Sequence, residues 1–283
     1  MDAVRRNPQG GPGRWLVKLG KGIAATVFIA AALFPLAWML IAGFKARKEV
    51  IQTPFQFFPE VWKWENYVQI LSDPTFLRTM AWTFGGAVLF TLLSLTVNSL
   101  AAYAFARLEF RLKRTLWVLV ITTMFIPGMT ILLTSFIVVT RMRMLDTLGV
   151  LVIPGAASAA SVFFIRQFYL SIPSSLEEAA MLDGCGRFGI FVRLFLPLSK
   201  PAFVVMGITA FLAYWNSYVW PILTIVTPER YVVQQYLATF RSERATELGL
   251  LMAGSTLAAA PVIVLFLIFQ RQIIGNIKMA GLK

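Results

Sequence analysis

The chain has 283 residues, 58% of them hydrophobic and 14% charged, with a formal net charge of +13, no His and one Cys. Soluble domains run about 45–50% apolar and about 25% charged, so this composition excludes an ordinary soluble fold and points to a membrane protein. Without His there is no imidazole metal site and no H-E-x-x-H pattern, and the lone Cys185 cannot form a disulfide within the chain. Neither a G-x-x-x-x-G-K-[ST] phosphate loop nor a G-x-S-x-G nucleophile elbow occurs. The expectation is therefore a chain that is not an enzyme and holds neither cofactor nor metal.

Residues 1–21 are polar, basic and rich in Gly and Pro; such a segment is expected to be a disordered tail. Six long apolar stretches follow, at about 22–44, 79–106, 115–140, 147–170 (charge-free to Ile165), 201–228 and 248–270, and residues 271–283 form a second tail. A helix of about 20 residues crosses a hydrocarbon core, and backbone groups must be paired within the segment there. The fold class expected is thus all-α integral membrane with six transmembrane helices. The first stretch exceeds the roughly 7–15 residues of a signal-peptide core and reads as an uncleaved anchor.

Six crossings put both termini on one side. That side would carry sixteen Lys and Arg and five acids, a net of +11, against ten and eight on the other, a net of +2. The positive-inside rule then places both termini in the cytoplasm. The excess base follows topology, so a nucleic-acid partner is not expected. The longest outer loop, 45–78, is aromatic, with Phe55, Phe57, Phe58, Trp62, Trp64 and Tyr67. It reads either as an anchor at the headgroup layer or as a docking surface for an external partner.

Polar groups inside a membrane are costly and often mark pathways. The candidates are Asn98 in the second stretch and Tyr214, Trp215, Asn216, Ser217 and Tyr218 in the fifth. Rings beside amides and hydroxyls suit a neutral polyol; hydrogen bonds between helices are the alternative. No Asp, Glu, Lys or Arg lies deep in a stretch, which argues against a carrier driven by buried carboxylates. The small residues Gly155 to Ser161 read as a close-packing seam, and Pro127-Gly128 and Pro261 as places where a helix can bend or break.

The loop 171–200 carries charges of both signs between two apolar blocks. Ser174-x-x-Glu177 and Ser175-x-x-Glu178 each fit a capping box, so a short helix is expected from about Ser174. Gly184 and Gly186 would stop it, and a second apolar helical run, 188–196, leads to Pro197. Within it, Glu178-Ala179-Ala180, three residues, Gly184, nine residues and Leu194-Phe195-Leu196-Pro197 resemble the EAA motif of ABC importer permeases, EAA-x3-G-x9-I-x-L-P, with Leu194 at the Ile position. The flanking residues, with Glu65-Asn66-Tyr67, Trp215-Asn216, Pro261 and Gln270-Arg271, resemble the carbohydrate-uptake branch of the maltose-transporter type. Asn276 and Ala280 depart from it, standing where Gly is usual.

The resemblance implies the type I importer fold in a bacterial or archaeal cytoplasmic membrane. It implies a second permease subunit, two ATP-binding cassette subunits and an extracytoplasmic solute-binding protein as partners. It implies import of a sugar; the same type of permease for glycerol-phosphate or a polyol is the alternative, and a secondary carrier is disfavoured. Glu178, Ala179, Ala180, Asp183, Gly184, Leu194 and Pro197 would couple the chain to the ATPase.

Overall fold

The computed structural model describes residues 12–242 and 247–280. Among them the chain forms two compact units, one of residues 12–70 and 247–256, the other of residues 71–242 and 257–280. The described residues are helical, with no strand.

The first unit begins with α1 (Pro12–Ala42), followed by α2 (Arg47–Val50) and α3 (Glu65–Ser72), whose last residues belong to the second unit. Residues 12–21, expected to be tail, are the first turns of α1; residues 1–11 lie outside the described residues. Ile23, Val27, Phe28 and Leu33 of α1 are exposed, as contact with lipid requires. Asn66 and Tyr67 close the end of this helix. The Asn66 amide donates to the carbonyls of Gly43 and Lys45 at 2.9 and 3.1 Å, and the Tyr67 hydroxyl to that of Leu40 at 2.7 Å. Phe44 packs against Trp62, Trp64 and Tyr67 with ring centroids 4.5–5.3 Å apart. Lys45 is 1% exposed, with its ammonium 4.8 Å from the Trp38 ring. Burial holds its pKa below the usual lysine value against the attraction of Glu49 and Glu60.

The second unit is built around α4 (Pro74–Arg107). Asp73 caps it, accepting from the Thr75 amide at 2.8 Å. Then come α5 (Lys113–Thr123), a 3₁₀ turn (Gly128–Ile131), α6 (Leu132–Arg141), α7 (Leu148–Val152) and α8 (Ala159–Leu170). After the loop helices α9 (Ser174–Leu182), α10 (Arg187–Ile190) and α11 (Leu196–Leu198) lie α12 (Lys200–Trp215), α13 (Val219–Thr224) and α14 (Val233–Ser242). α15 (Leu248–Ala280) starts in the first unit and continues into the second. The tail expected at 271–283 is helical as far as Ala280.

Among the described residues, three helices are long and apolar enough to cross a membrane, Val17–Ala42, Pro74–Arg107 and Leu248–Gln272, or up to five if each of two bent pairs is one span. The third stretch is a bent pair rather than a single rod: Lys113–Thr123 and Gly128–Arg141 meet at 97°. The loop run Arg187–Leu198 meets Lys200–Trp215, which opens the fifth stretch, at 80°. The fifth stretch itself breaks at 216–218, between α12 and α13, and the fourth breaks at 153–158. The packing seam expected at Gly155–Ser161 is mostly this break, with Ala159–Ser161 opening α8.

The breaks have local causes. Pro127 is extended (φ −62°, ψ 131°), has no N–H to donate, and is followed by Gly128. Pro154-Gly155 does the same in the fourth stretch, and the chain re-enters helix at Ser158, whose hydroxyl accepts from the Ser161 amide at 3.3 Å. Pro35 and Pro261, by contrast, lie inside unbroken helices.

Candidate functional site

Two regions bring the sequence candidates together. The first is the loop 171–200. Helix α9 starts at Ser174 as expected, but Pro173 holds the N-cap position and no side chain caps it. Neither capping box forms, because Glu177 turns away from the helix end. It is the one buried residue of α9. Its carboxylate lies 2.7 Å from Arg187 Nη1 and 3.8 Å from Arg107 Nε. The second distance is a charge contact and too long for a hydrogen bond. Arg107, the last residue of α4, donates from Nη2 to the Tyr169 carbonyl at 2.6 Å and to that of Ile172. Its guanidinium also lies 5.1 Å from the Phe195 ring. The Tyr103 hydroxyl donates to the Arg187 carbonyl at 3.1 Å, and Tyr103, Tyr169, Phe191 and Phe195 form an aromatic cluster beneath the loop.

On the opposite face, Glu178, Ala179, Asp183, Gly184 and Pro197 are exposed, while Ala180 and Leu194 pack on the aromatic cluster. Gly184 has φ +80°, a left-handed conformation that costs an L residue about 1–2 kcal/mol. Leu182 and Phe188, 90% and 72% exposed, flank the turn. Cys185 is free and partly buried against the cluster. The second helical run is not uniform: α10 passes into a π-helical segment, Phe191–Phe195, before α11. A π turn leaves its backbone less regularly paired and often accompanies function.

The second region is the set of helix breaks. A cavity of about 380 Å³ is lined by Gly128 and Ile131 from the third stretch, Pro154 and Gly155 from the fourth, and Tyr214, Ser217 and Trp220 from the fifth. Phe90 of α4 and Ser135 of α6 also face it, and no charged residue does. Irregular backbone at membrane depth is tolerated where it is buried in protein or lines a cavity. Tyr214 is seated on α4, where a Cβ on Gly86 would fall 2.0 Å from its hydroxyl. Its ring centroid is 5.6 Å from that of Phe90.

The sequence candidates divide among different positions. Tyr214 and Ser217 line the cavity. Trp215 is 2% exposed, stacked on Phe211, and donates from Nε1 to the Ala258 carbonyl at 3.2 Å, so its polar atom is taken up by α15. Asn216 and Tyr218 are exposed at the break after α12. Asn98 is 1% exposed. Its amide nitrogen donates to Ser94 Oγ and the Ala156 carbonyl, both at 2.9 Å, and its oxygen accepts from the Ser158 amide at 2.8 Å. Both N–H groups are thus committed to the backbone of the fourth break and to its own helix.

Sequence reasoning passed over the Glu177–Arg107–Arg187 cluster. Adjacent glutamates on a helix point about 100° apart, so the sequence allowed the two different surroundings without showing that either is buried. Loops at the other end are pinned as well. Asp146 accepts from the Val226 and Thr227 amides at 3.2 and 3.1 Å, from the Thr227 hydroxyl, and from Arg230 at 3.1 Å. The Thr227 hydroxyl first, then the amides and Arg230, hold this carboxyl below the usual range against a smaller opposing effect of burial.

Residues 95–278 match the family described as "Binding-protein-dependent transport system inner membrane component". The chain is 30% identical over 270 residues to the arabinooligosaccharides transport system permease protein AraQ of Bacillus subtilis, covering 92% of this chain and 95% of that one. It is 28% identical over 276 residues to the AraQ of Halalkalibacterium halodurans, covering 95% and 96%. Its fold is similar to a crystal structure of a bacterial ABC transporter involved in the import of the acidic polysaccharide alginate, with TM-score 0.81, 22% identity, and 94% and 99% of the two chains covered. The chain therefore belongs to the family of inner membrane components of binding-protein-dependent transport systems, as a multi-pass permease subunit and not an enzyme.

Proposed function

We propose that this chain is the membrane-spanning permease subunit of an ATP-driven, binding-protein-dependent importer for a sugar. The observation that carries the reading is the two-faced loop: α9 holds a carboxylate inward on the spans and presents Glu178, Ala179, Asp183 and the Gly184 turn outward. Two small residues on the outer face let another surface approach closely, while Leu182 and Phe188 offer apolar side chains to a cleft. The occupant is the ATP-binding cassette subunit, one of two, and both termini and this loop lie in the cytoplasm.

Closure of the ATPase pair on ATP draws the coupling helices of this chain and a second permease subunit together. That favours the outward-open state by differential contact at the loops. Sugar delivered by an extracytoplasmic solute-binding protein enters between the broken helices. Rings of Phe90, Tyr214 and Trp220 and hydroxyls of Ser135 and Ser217 line the cavity there, a surface suited to the C–H faces and hydroxyls of a neutral sugar. Discontinuous helices meeting at one cavity are a recurrent way to build a transport site. An anionic solute would call for a cationic lining, and the names of the AraQ relatives also favour a sugar.

The test is uptake of labelled sugars into vesicles holding the chain with its partner permease, ATPase and binding protein. Accumulation is expected only with ATP on the loop side. Equal uptake without ATP would overturn the proposal.

A further inference from the structure

The EAA-like sequence places two carboxylates side by side, and the structure gives them opposite surroundings. Glu178 is exposed; Glu177 is 5% exposed and is the one buried residue of α9. The rest of α9 gives little to hold it. Leu176, Met181 and Leu182 are exposed, and only Ala180 packs on the aromatic cluster. A helix that passes motion to the spans is thus fastened to them mainly through one carboxylate.

Its two partners come from different elements. Arg107 ends α4 and also grips the carbonyls of Tyr169, in α8, and Ile172, just before α9. Arg187 opens α10 beyond the Gly184 turn, and its carbonyl is held by Tyr103 of α4. One cluster therefore joins α4, α8, α9 and α10. A buried ion pair is weak evidence for stability, since well-packed apolar residues often do as well, but removing one member leaves a charge unpaired. What such a cluster does supply is fixed direction and position.

We propose that Glu177 is a positioning residue for energy coupling. With Arg107 and Arg187 it forms the joint through which displacement of α9 reaches α4 and α8, so that its loss lets ATP be hydrolysed without transport. This rests on the ATPase-docking reading of the loop.

The experiment uses the complete importer in proteoliposomes with its binding protein, measuring sugar uptake and ATP hydrolysis on the same sample. For Glu177→Gln, the ATPase is expected to stay bound and hydrolysis to hold at about half or more, while sugar moved per ATP falls about tenfold. Arg187 is 54% exposed at its side chain, so Arg187→Ala leaves the fold intact and is expected to lower the same ratio about threefold. Arg187→Lys keeps the cation and is expected to restore most of it. A purely structural role would lower uptake and hydrolysis together. An unchanged ratio in Glu177→Gln, or in Arg187→Ala should the Gln variant fail to assemble, would overturn the proposal. Loss of ATPase from the unsubstituted importer would instead overturn the docking reading on which it rests.

Discussion

Replacing Asn98 by Leu, a close match in size, separates a structural amide from a pathway amide. The side chain is 1% exposed and makes three hydrogen bonds. Two of them are to backbone groups in the broken fourth stretch, the Ala156 carbonyl and the Ser158 amide. Ordinary side-chain hydrogen bonds between membrane helices average only about 0.6 kcal/mol, because the separated helices find other partners. These two backbone groups lie at a break, where no helical ladder can take them over. Each stranded group costs about 1–3 kcal/mol, so Asn98→Leu is expected to cost about 2–6 kcal/mol, well above the roughly 1 kcal/mol of an average substitution. The assay is thermal unfolding of the purified permease complex in detergent. Destabilisation of Asn98→Leu by less than about 0.5 kcal/mol, together with altered sugar dependence of uptake, would refute the structural role and return Asn98 to the pathway.

Gly86→Ala would place a methyl 2.0 Å from the Tyr214 hydroxyl and drive the ring toward the cavity. Overpacking costs about 1–3 kcal/mol, offset by about 1 kcal/mol of helix propensity. Uptake measured against sugar concentration should shift several-fold while stability changes little; an unchanged dependence removes Tyr214 from the pathway. Gly184→Val forces a β-branched residue into φ +80°, and co-purification of the ATPase should fall sharply with membrane insertion intact. For Asp146, the depressed carboxyl contributes stability fully above the unfolded value of about 3.9 and loses it as pH falls through the lower folded value. Protection of the Val226 and Thr227 amides, their exchange rate relative to an unstructured chain at the same pH, should therefore hold from pH 7 down to about 4 and fall below that. Loss of protection already near pH 6 would contradict the assignment.

Much of this was legible in the chain. Composition gave the membrane class, and the spacing from Glu178 to Pro197 gave the family and the position of α9. The helix breaks were harder to read. Pro127-Gly128 breaks its stretch and so does Pro154-Gly155, whereas Pro35 and Pro261 sit in intact helices. A single Pro leaves one hydrogen bond to be replaced; a following Gly also removes the side chain that would favour resuming the helix. Hydropathy averages over both cases and reports six similar stretches. Asn98 was ambiguous for another reason. A polar residue in an apolar run signals an obligation to pair, but its partner at Ala156 lies 58 residues away, and only the fold brings the two together. Glu177 and Glu178 show the same limit at shorter range: they point about 100° apart on the helix, but sequence does not say that one of them is buried, or which.

The coupling role rests on the face of α9 that carries Glu178 and the Gly184 turn. Leu182, 90% exposed beside that turn and away from the aromatic cluster, can be replaced by Cys in a Cys185→Ser background, which keeps a side chain of nearly the same size where Cys185 packs on that cluster. In membranes holding the assembled importer, Leu182→Cys is predicted to cross-link to the ATPase subunit and to stay unreactive toward an impermeant thiol reagent added outside intact cells. Labelling from outside, with no cross-link to the ATPase, would contradict both the sidedness and the coupling role of the loop.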